Sequence, residues 1–291
     1  MIYNALGEGL LTAFDVNGEN LYQAYDIDGN RAFVYKYGNY TITKKYAYFG
    51  RNGQGLDIHN DVMAIWDGKD FILSLRDLDT GELITTLDLS STDHGNDISF
   101  MQEYYDPGDE FPLLCMSASR VYRITREGAT LVRTYKMPVM NYNNLTYKLT
   151  YGTAFVGDYM YVSGYRTGTY QYTDNNAIRI VKLDLTDLTE NQDGTYTPAV
   201  ISYADRGWLE CIQGASYHDN LFWACCGMSS PGHIYGFNPD TAEIEVDIDL
   251  GNTGELEGLG WAYNDTDDWF MMVGAVGMSK YLKVTFSDAI S

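Results

Sequence analysis

The sequence predicts an all-β fold, a six-bladed β-propeller with four antiparallel strands in each blade. Three observations predict it: a glycine-centred tripeptide recurs along the chain, short apolar segments alternate with polar turns after each copy, and no long stretch has helical periodicity with caps. We expect residues 1–291 to form one domain. A large β-sandwich and a two-domain β protein are the alternatives.

The repeat is defined by its central glycines, which are 46, 40, 57, 62 and 44 residues apart. A propeller blade takes about 40–50 residues, so this spacing fits one blade per copy with insertions in the third and fourth intervals. The repeat units are expected to start near residues 8, 54, 94, 151, 213 and 257.

Each unit is expected to contain four strands. In three copies a polar turn starts six residues after the tripeptide begins, at Asn60-Asp61, Gly157-Asp158 and Asp219-Asn220. Apolar and polar residues then alternate in the last segment of the unit, as in residues 82–89 and 243–250, which is typical of a strand with one buried face.

The ends of the chain predict how the ring closes. The sixth unit has room for only three strands before the chain stops at Ser291. We therefore expect the N-terminal strand, residues 2–5, to supply the fourth strand and leave no exposed sheet edge there.

Composition limits the partners. Forty acidic and nineteen basic side chains give a net charge of −21, which repels nucleic-acid phosphates. No apolar run approaches the roughly 20 residues of a membrane-spanning helix, and the N-terminus lacks the basic start and apolar core of a signal peptide. We expect no nucleic-acid binding, no membrane insertion, and cytoplasmic synthesis without a signal peptide if Met1 is the natural start.

The four cysteines show no CxxC spacing and are expected to be structural thiols.

The first residue of each tripeptide is a candidate for ligand binding. If every tripeptide opens an innermost strand, these six polar residues converge around the mouth of a central channel. The alternative is that they only tie neighbouring blades together. The predicted ring consists of Glu8, Gln54, His94, Tyr151, Gln213 and Glu257, supported by Asp93, Asn96 and Asp97.

The sequence assigns no catalytic residue and no resident cofactor. His94 lies between carboxylates and an amide, which could orient a sugar hydroxyl or hold Ca²⁺, but no second histidine stands at transition-metal spacing. His59 and His218 occupy the same place in their repeats and are expected on the opposite face, in structural roles. Glu8 and Glu257 could form an acid/base pair across the closure.

Two family resemblances rest on short motifs in residues 54–97, and the likeness of the blade pattern covers about two-thirds of the chain. The units running from Gln54-Gly55-Leu56 through residues 77–81, and on to residues 94–97, resemble the propeller domains of phage receptor-binding proteins that are grouped with teichoic-acid-biosynthesis-like propellers. Glutaminyl-cyclase-type propellers are similar in the Gln-Gly-Leu element. The first resemblance implies a phage tail or a cell-surface glycan context.

The leading functional hypothesis is a non-enzymatic binding or structural module of a phage virion or tail. It would contact a cell-surface glycan or a neighbouring virion protein through a propeller face, and would be extracellular as part of a tail. Twenty-six tyrosines, each with an apolar body and a polar tip, favour such a surface. The alternative is a glycan-cleaving or cyclotransferase-like enzyme that acts at the channel mouth.

Overall fold

The structure is a computed structural model, and the described residues form strands and turns without a helix. It describes residues 24–25, 31–32, 40–46, 53–89, 97–142, 145–166, 177–208, 212–227, 232–251, 253–263, 269–275 and 280–286. The strands are β1 (Ala24–Tyr25), β2 (Arg31–Ala32), β3 (Tyr40–Tyr46), β4 (Gly53–His59), β5 (Val62–Asp67), β6 (Ile72–Asp77), β7 (Leu83–Asp88), β8 (Ile98–Phe100), β9 (Leu114–Met116), β10 (Arg120–Ile124), β11 (Ala129–Thr134), β12 (Met140–Tyr142), β13 (Leu145–Val156), β14 (Tyr159–Arg166), β15 (Ala177–Glu190), β16 (Tyr196–Trp208), β17 (Ile212–His218), β18 (Leu221–Cys226), β19 (His233–Phe237), β20 (Ile244–Asp249), β21 (Leu256–Tyr263), β22 (Trp269–Ala275) and β23 (Lys280–Phe286).

The blades are five antiparallel sheets, not the six that the repeat predicted. Blade one is β4-β5-β6-β7, blade two β8-β9-β10-β11, blade three β13-β14-β15-β16, blade four β17-β18-β19-β20, and blade five β21-β22-β23-β3. Blade three has an additional short strand, β12, which pairs with the start of β13. The all-β propeller prediction is confirmed and the blade count is wrong.

The closing strand explains the wrong count. Tyr40–Tyr46 pairs antiparallel with Lys280–Phe286 as the outer strand of blade five, with Ile42 opposite Val284. Since this strand completes the last blade, it is not the fourth strand of a separate first blade. The predicted closing segment, residues 2–5, and the tripeptide at Glu8 lie outside the described residues.

The predicted turns between the first two strands of a blade are confirmed. Asn60, Gly157, Asp219 and Asn220 have φ of 51°, 54°, 51° and 62° and connect β4 to β5, β13 to β14, and β17 to β18. Asparagine, aspartate and glycine tolerate this left-handed backbone, which two-residue hairpin turns require.

Apolar side chains pack between neighbouring blades. Over the described parts of the chain they form five clusters, one at each seam between two blades. At the seam of blades four and five the Trp261 ring lies 5.1 Å from Trp223 and 5.2 Å from Phe286. Each fully buried aliphatic or aromatic side chain contributes about 1.5–3 kcal/mol. The seams therefore hold five blades in a closed ring.

No helix in the described ranges is long and apolar enough to cross a membrane.

Candidate functional site

The first strands of the five blades surround the axis and run in the same direction. They are β4, β8, β13, β17 and β21, and equivalent positions face each other: a Cβ on Gly214 or on Gly258 would overlap the next inner strand around the axis. Gly258 also has a φ of +78°, which side chains rarely adopt. At these glycines the backbones of neighbouring inner strands are in contact, so the glycines stand at the same height along the axis. The residue just before each glycine therefore lies toward the same face, near the N-terminal ends of the inner strands. We call this face the central mouth.

Four predicted ring residues belong to the inner strands. Gln54 lies in β4, Tyr151 in β13, Gln213 in β17 and Glu257 in β21. The remaining two, and two of the supporting residues, lie outside the described residues: Glu8, His94, Asp93 and Asn96. Asp97 immediately precedes β8 and is fully buried.

Gln213 and Glu257 meet at the central mouth, together with Glu255. The Gln213 Nε2 donates hydrogen bonds to Glu255 Oε1 at 3.0 Å and to Glu257 Oε1 at 3.1 Å. Glu257 is 2% exposed, whereas Glu255 is only half-buried. No described residue forms a hydrogen bond with Glu257 Oε2, although this atom is buried. We refer to Gln213, Glu255 and Glu257 as the mouth cluster.

The mouth cluster favours a protonated Glu257. Burial raises the pKa of Glu257 well above its usual range, and the nearby carboxylates of Glu255 and Asp97 raise it further. Glu255 is partly in solvent and lies within hydrogen-bonding reach of the same amide. The arrangement therefore combines a neutral carboxyl, which can donate a proton, with a second carboxyl, which can accept one.

Two further carboxylates lie on the axis beneath the mouth. Asp97 Oδ2 accepts hydrogen bonds from the backbone nitrogens of Thr153 at 2.9 Å and Ala215 at 3.3 Å, while Oδ1 accepts one from its neighbour Ile98 at 2.9 Å. These donors belong to blades two, three and four. One side chain therefore joins three inner strands.

Asp57 joins blades one and two in the same way. Its Oδ2 accepts a hydrogen bond from the Phe100 nitrogen at 2.7 Å, and its Oδ1 accepts one from the Ile58 nitrogen at 2.8 Å. On the other side a Cβ on Gly260 of blade five would lie 2.9 Å from Asp57 Oδ1. We refer to Asp57 and Asp97 as the axial pair.

Burial also raises the pKa values of the axial pair. The pKa of Asp57 is raised to about 7, although its two backbone hydrogen bonds lower it. The pKa of Asp97 is raised well above its usual range by burial and by the charge of Asp57, against backbone hydrogen bonds from Thr153 and Ala215. Unlike the mouth cluster, both aspartates have their oxygens engaged by backbone donors, which assigns them to the architecture.

The other two described ring residues have different contacts. Gln54 Nε2 donates to the carbonyl of Gly53 at 3.3 Å, and the Tyr151 carbonyl accepts a hydrogen bond from the Ser163 hydroxyl. Sequence reasoning missed Glu255 and Asp57. The signal for Glu255 was its position two residues before Glu257, since alternate residues of an extended chain share a face. The signal for Asp57 was a carboxylate inside an otherwise apolar strand.

Two of the described histidines lie away from the mouth. His59 and His218 are the last residues of β4 and β17, at the opposite ends of the inner strands from the ring. The His218 ring stacks on Trp261 at 4.2 Å, and burial lowers the pKa of His59. His233 Nδ1 lies 2.8 Å from Asp247 Oδ1. In the part of the chain that the structure describes, no three His, Cys, Asp or Glu side chains are grouped to hold a metal ion.

Comparison with known proteins supports the fold. No protein-family model and no curated protein sequence matches the chain. Among solved structures, the glutaminyl cyclase of Myxococcus xanthus is 14% identical, with 84% of this chain and 95% of that chain covered and a TM-score of 0.51. The aldose sugar dehydrogenase of Streptomyces coelicolor in its PQQ-bound form is 9% identical, with 85% and 98% covered and a TM-score of 0.48.

A third similar structure is virginiamycin B lyase of Staphylococcus aureus, at 10% identity, 86% and 100% coverage and a TM-score of 0.43. These neighbours are β-propeller proteins, and at such identities the likeness concerns the fold alone. The more specific resemblance to phage receptor-binding propellers stays a prediction.

Proposed function

We propose that the protein is a β-propeller enzyme that transfers protons at its central mouth through the Glu255–Glu257 carboxyl pair. The observation that carries this proposal is the buried Oε2 of Glu257, which no described residue engages. Buried polar atoms are satisfied in most proteins, and an unengaged carboxyl oxygen with a strongly perturbed pKa is typical of a site that waits for a ligand.

Gln213 positions the two carboxyls. Because one Nε2 contacts both Oε1 atoms, at 3.0 and 3.1 Å, the two side chains are held as a pair that shares one proton. Glu257 donates its proton to an oxygen or nitrogen of the substrate, and the Glu255 carboxylate accepts a proton from the attacking group. Transfer of that proton from Glu255 back to Glu257 restores the pair. General acid–base catalysis of this kind contributes about 10²–10⁴-fold to a rate.

The closeness of the pair bears on the reaction class. Inverting glycosidases hold their two carboxyls about 6.5–9.5 Å apart so that water and a sugar fit between them. Here both carboxyls contact a single amide nitrogen, at 3.0 and 3.1 Å, so the two contacting oxygens lie no more than about 6 Å apart, which is closer than an inverting pair. Retaining glycosidases hold their carboxyls about 5–5.5 Å apart, so glycan cleavage stays an alternative. We place cyclotransferase-like chemistry first, because it requires only proton transfers at one carbonyl centre, which a close carboxyl pair can supply.

A glutaminyl peptide is therefore the first substrate to test, and the name of the Myxococcus xanthus protein suggests the same choice. We expect ammonia release from a glutaminyl dipeptide by the wild-type protein and a decrease of at least about 100-fold in kcat for Glu257→Gln. Glu82→Gln changes an exposed glutamate of blade one and serves as the matched control.

Chromogenic glycosides test the glycan-cleaving alternative in the same assay. Equal rates for Glu257→Gln and the wild type would contradict the role of the pair. Absence of turnover on the glutaminyl peptide and on the glycosides would contradict the enzyme proposal itself.

A binding module is the second candidate, and a cluster of tyrosines favours it. The rings of Tyr161 and Tyr217 stack at 5.2 Å, and the Lys182 ammonium lies 4.0 Å from the Tyr159 ring. Tyr161 is buried at the seam of blades three and four, whereas Tyr159 and Tyr217 are half-buried and offer ring faces on which a sugar can pack. A glycan or protein partner and a virion setting belong to this candidate, which saturable binding on a glycan array without turnover would support. Neither candidate requires a resident cofactor.

A further inference from the structure

A cavity of about 510 Å³ lies between blades two and three, on the face opposite the central mouth. Met101 follows β8, and Phe155 stands near the end of β13, so the cavity opens where the inner strands finish. Its volume is within the usual range of small-molecule sites. The floor is apolar and consists of Met101, Phe155, Leu185 and Leu188, and the rim is polar and consists of Gln102, Glu103, Arg133, Gly157, Asp158 and Thr186.

The wall from blade three depends on an irregular strand. The pairing of β15 with β16 is interrupted between Asp184 and Leu188, so the intervening residues leave the regular ladder. The Leu185 nitrogen donates to the Asp158 carbonyl at 2.9 Å, and the Thr186 hydroxyl donates to Asp184 Oδ1 at 2.7 Å. β-bulges of this kind are frequent beside binding sites, because they redirect side chains.

The wall from blade two is joined to blade three by a side chain. Gln102 Oε1 accepts a hydrogen bond from the Gly157 nitrogen at 2.8 Å, across the seam. These bonds hold both walls in place before any ligand arrives. A preformed cavity of this kind avoids part of the ordering cost of binding.

The charges on the rim do not cancel. Glu103 and Arg133 neutralise each other, with Arg133 Nη1 and Nη2 each 2.9 Å from a carboxylate oxygen of Glu103. Arg133 also donates to the Tyr135 hydroxyl at 2.9 Å. Asp158 is exposed, and no described residue donates to its carboxylate. Within the described residues, the rim therefore offers one negative charge without an ion-pair partner, above an apolar floor.

We propose that this cavity binds a small amphipathic amine. Its apolar body packs on Met101, Phe155 and the two leucines, and its ammonium group donates to the Asp158 carboxylate. A carboxylate ligand is disfavoured there, because Arg133 is already engaged by Glu103 and the remaining charge is negative. The site is independent of the acid–base chemistry proposed at the mouth.

The test uses three probes of similar size: 2-phenylethylamine, 2-phenylethanol and 3-phenylpropionate. Calorimetric titration of the full chain should show saturable binding that is tightest for the amine and weakest for the carboxylate. Asp158→Asn should weaken the amine at least tenfold and leave the alcohol nearly unchanged. Asp187→Asn, an exposed aspartate of the same irregular segment outside the cavity lining, is the matched control and should bind the amine as the wild type does.

Leu188→Ser tests the floor and should weaken the amine and the alcohol alike, with chemical denaturation confirming that the variant is folded. Glu257→Gln should keep full affinity for the amine, which separates this site from the mouth cluster. Three results would each overturn the proposal: no saturable binding of the amine at millimolar concentration, equal affinity for 3-phenylpropionate, or unchanged amine affinity in Asp158→Asn.

Discussion

The axial pair and the mouth cluster are both groups of buried carboxyls with raised pKa values, yet their hydrogen bonds differ. Both aspartates of the axial pair accept hydrogen bonds on each of their oxygens, from nitrogens of their own and neighbouring blades. In the mouth cluster, Glu257 has one oxygen bound by Gln213 and a second, buried oxygen that no described residue engages.

Burial and a raised pKa therefore do not by themselves mark an active site. A carboxylate whose acceptors are filled by backbone donors fixes the positions of strands, and its removal is expected to cost stability. A carboxyl with a buried oxygen that accepts no hydrogen bond weakens the fold, and we expect such a carboxyl to serve ligand binding or catalysis. Mutations that compare stability in the two groups can therefore separate structure from function.

The largest effect is expected for Asp97→Ala. The substitution leaves the nitrogens of Ile98, Thr153 and Ala215 without their acceptor in a buried site, which should lower the free energy of unfolding by about 4 kcal/mol. Chemical denaturation measures this change, and Asp70→Ala, an exposed aspartate, is the control. A loss of Asp97→Ala no larger than that of the control would contradict the structural role.

The pH dependence of stability should reveal the raised pKa of Asp57. Its pKa is about 7 in the folded state and near 3.8 when unfolded, so the folded protein keeps a proton that the unfolded chain releases. Stability therefore falls as the pH rises from about 4 to about 7 and the contribution of Asp57 is constant above that range.

Asp57→Asn removes this contribution, which is of the order of 4 kcal/mol across the range. The free energy of unfolding of the wild type minus that of Asp57→Asn should therefore decrease as the pH rises. Denaturation of both proteins at pH 4.5, 6 and 7.5 measures this decrease. Parallel stability curves for the two proteins would show that Asp57 has an ordinary pKa.

The sequence revealed local features of the fold better than its closure. The turns at Asn60-Asp61 and Asp219-Asn220 were predictable because the residues themselves favour the left-handed backbone. The blade count was not, since the tripeptide at Glu8 has the same local pattern as the others. Closure depends on pairing between Tyr40–Tyr46 and Lys280–Phe286, at opposite ends of the chain, which no local signal specifies.

The candidate site was predictable only in part, because the sequence repeat names its residues but not their contacts in the folded ring. Gln213 and Glu257 were named from the repeat, and the contact between them follows from equivalent positions in adjacent blades. The functional difference between Glu257 and Asp97 was not visible in the sequence, because it depends on which backbone nitrogens reach each carboxylate in the folded ring.

For Glu257→Gln we expect a change in the free energy of unfolding that is smaller than that of Asp97→Ala and opposite in sign. Glutamine keeps an oxygen for the Gln213 amide and removes a carboxyl whose raised pKa destabilises the fold as the pH rises above its ordinary value. Thermal and chemical denaturation at pH 8 should show a variant at least as stable as the wild type. A large loss of stability would place Glu257 with the axial pair.

The smallest effect is expected for Glu255→Gln. The side chain is half-buried, and the free energy of unfolding should change by no more than about 0.5 kcal/mol. The charge of Glu255 raises the pKa of Glu257 beyond the effect of burial, so in the variant this pKa should move down toward its ordinary value. Unchanged titration of Glu257 in the variant would show that the two carboxyls are not coupled.

A carboxyl-carbon NMR titration of protein labelled with ¹³C at the glutamate side chains shows directly whether Glu257 is protonated at neutral pH. We expect one signal that remains in the protonated range at pH 7 in the wild type and in Asp57→Asn, and that is missing in Glu257→Gln. A wild-type spectrum in which every glutamate titrates near its ordinary pKa would contradict a neutral, proton-donating Glu257 at the mouth.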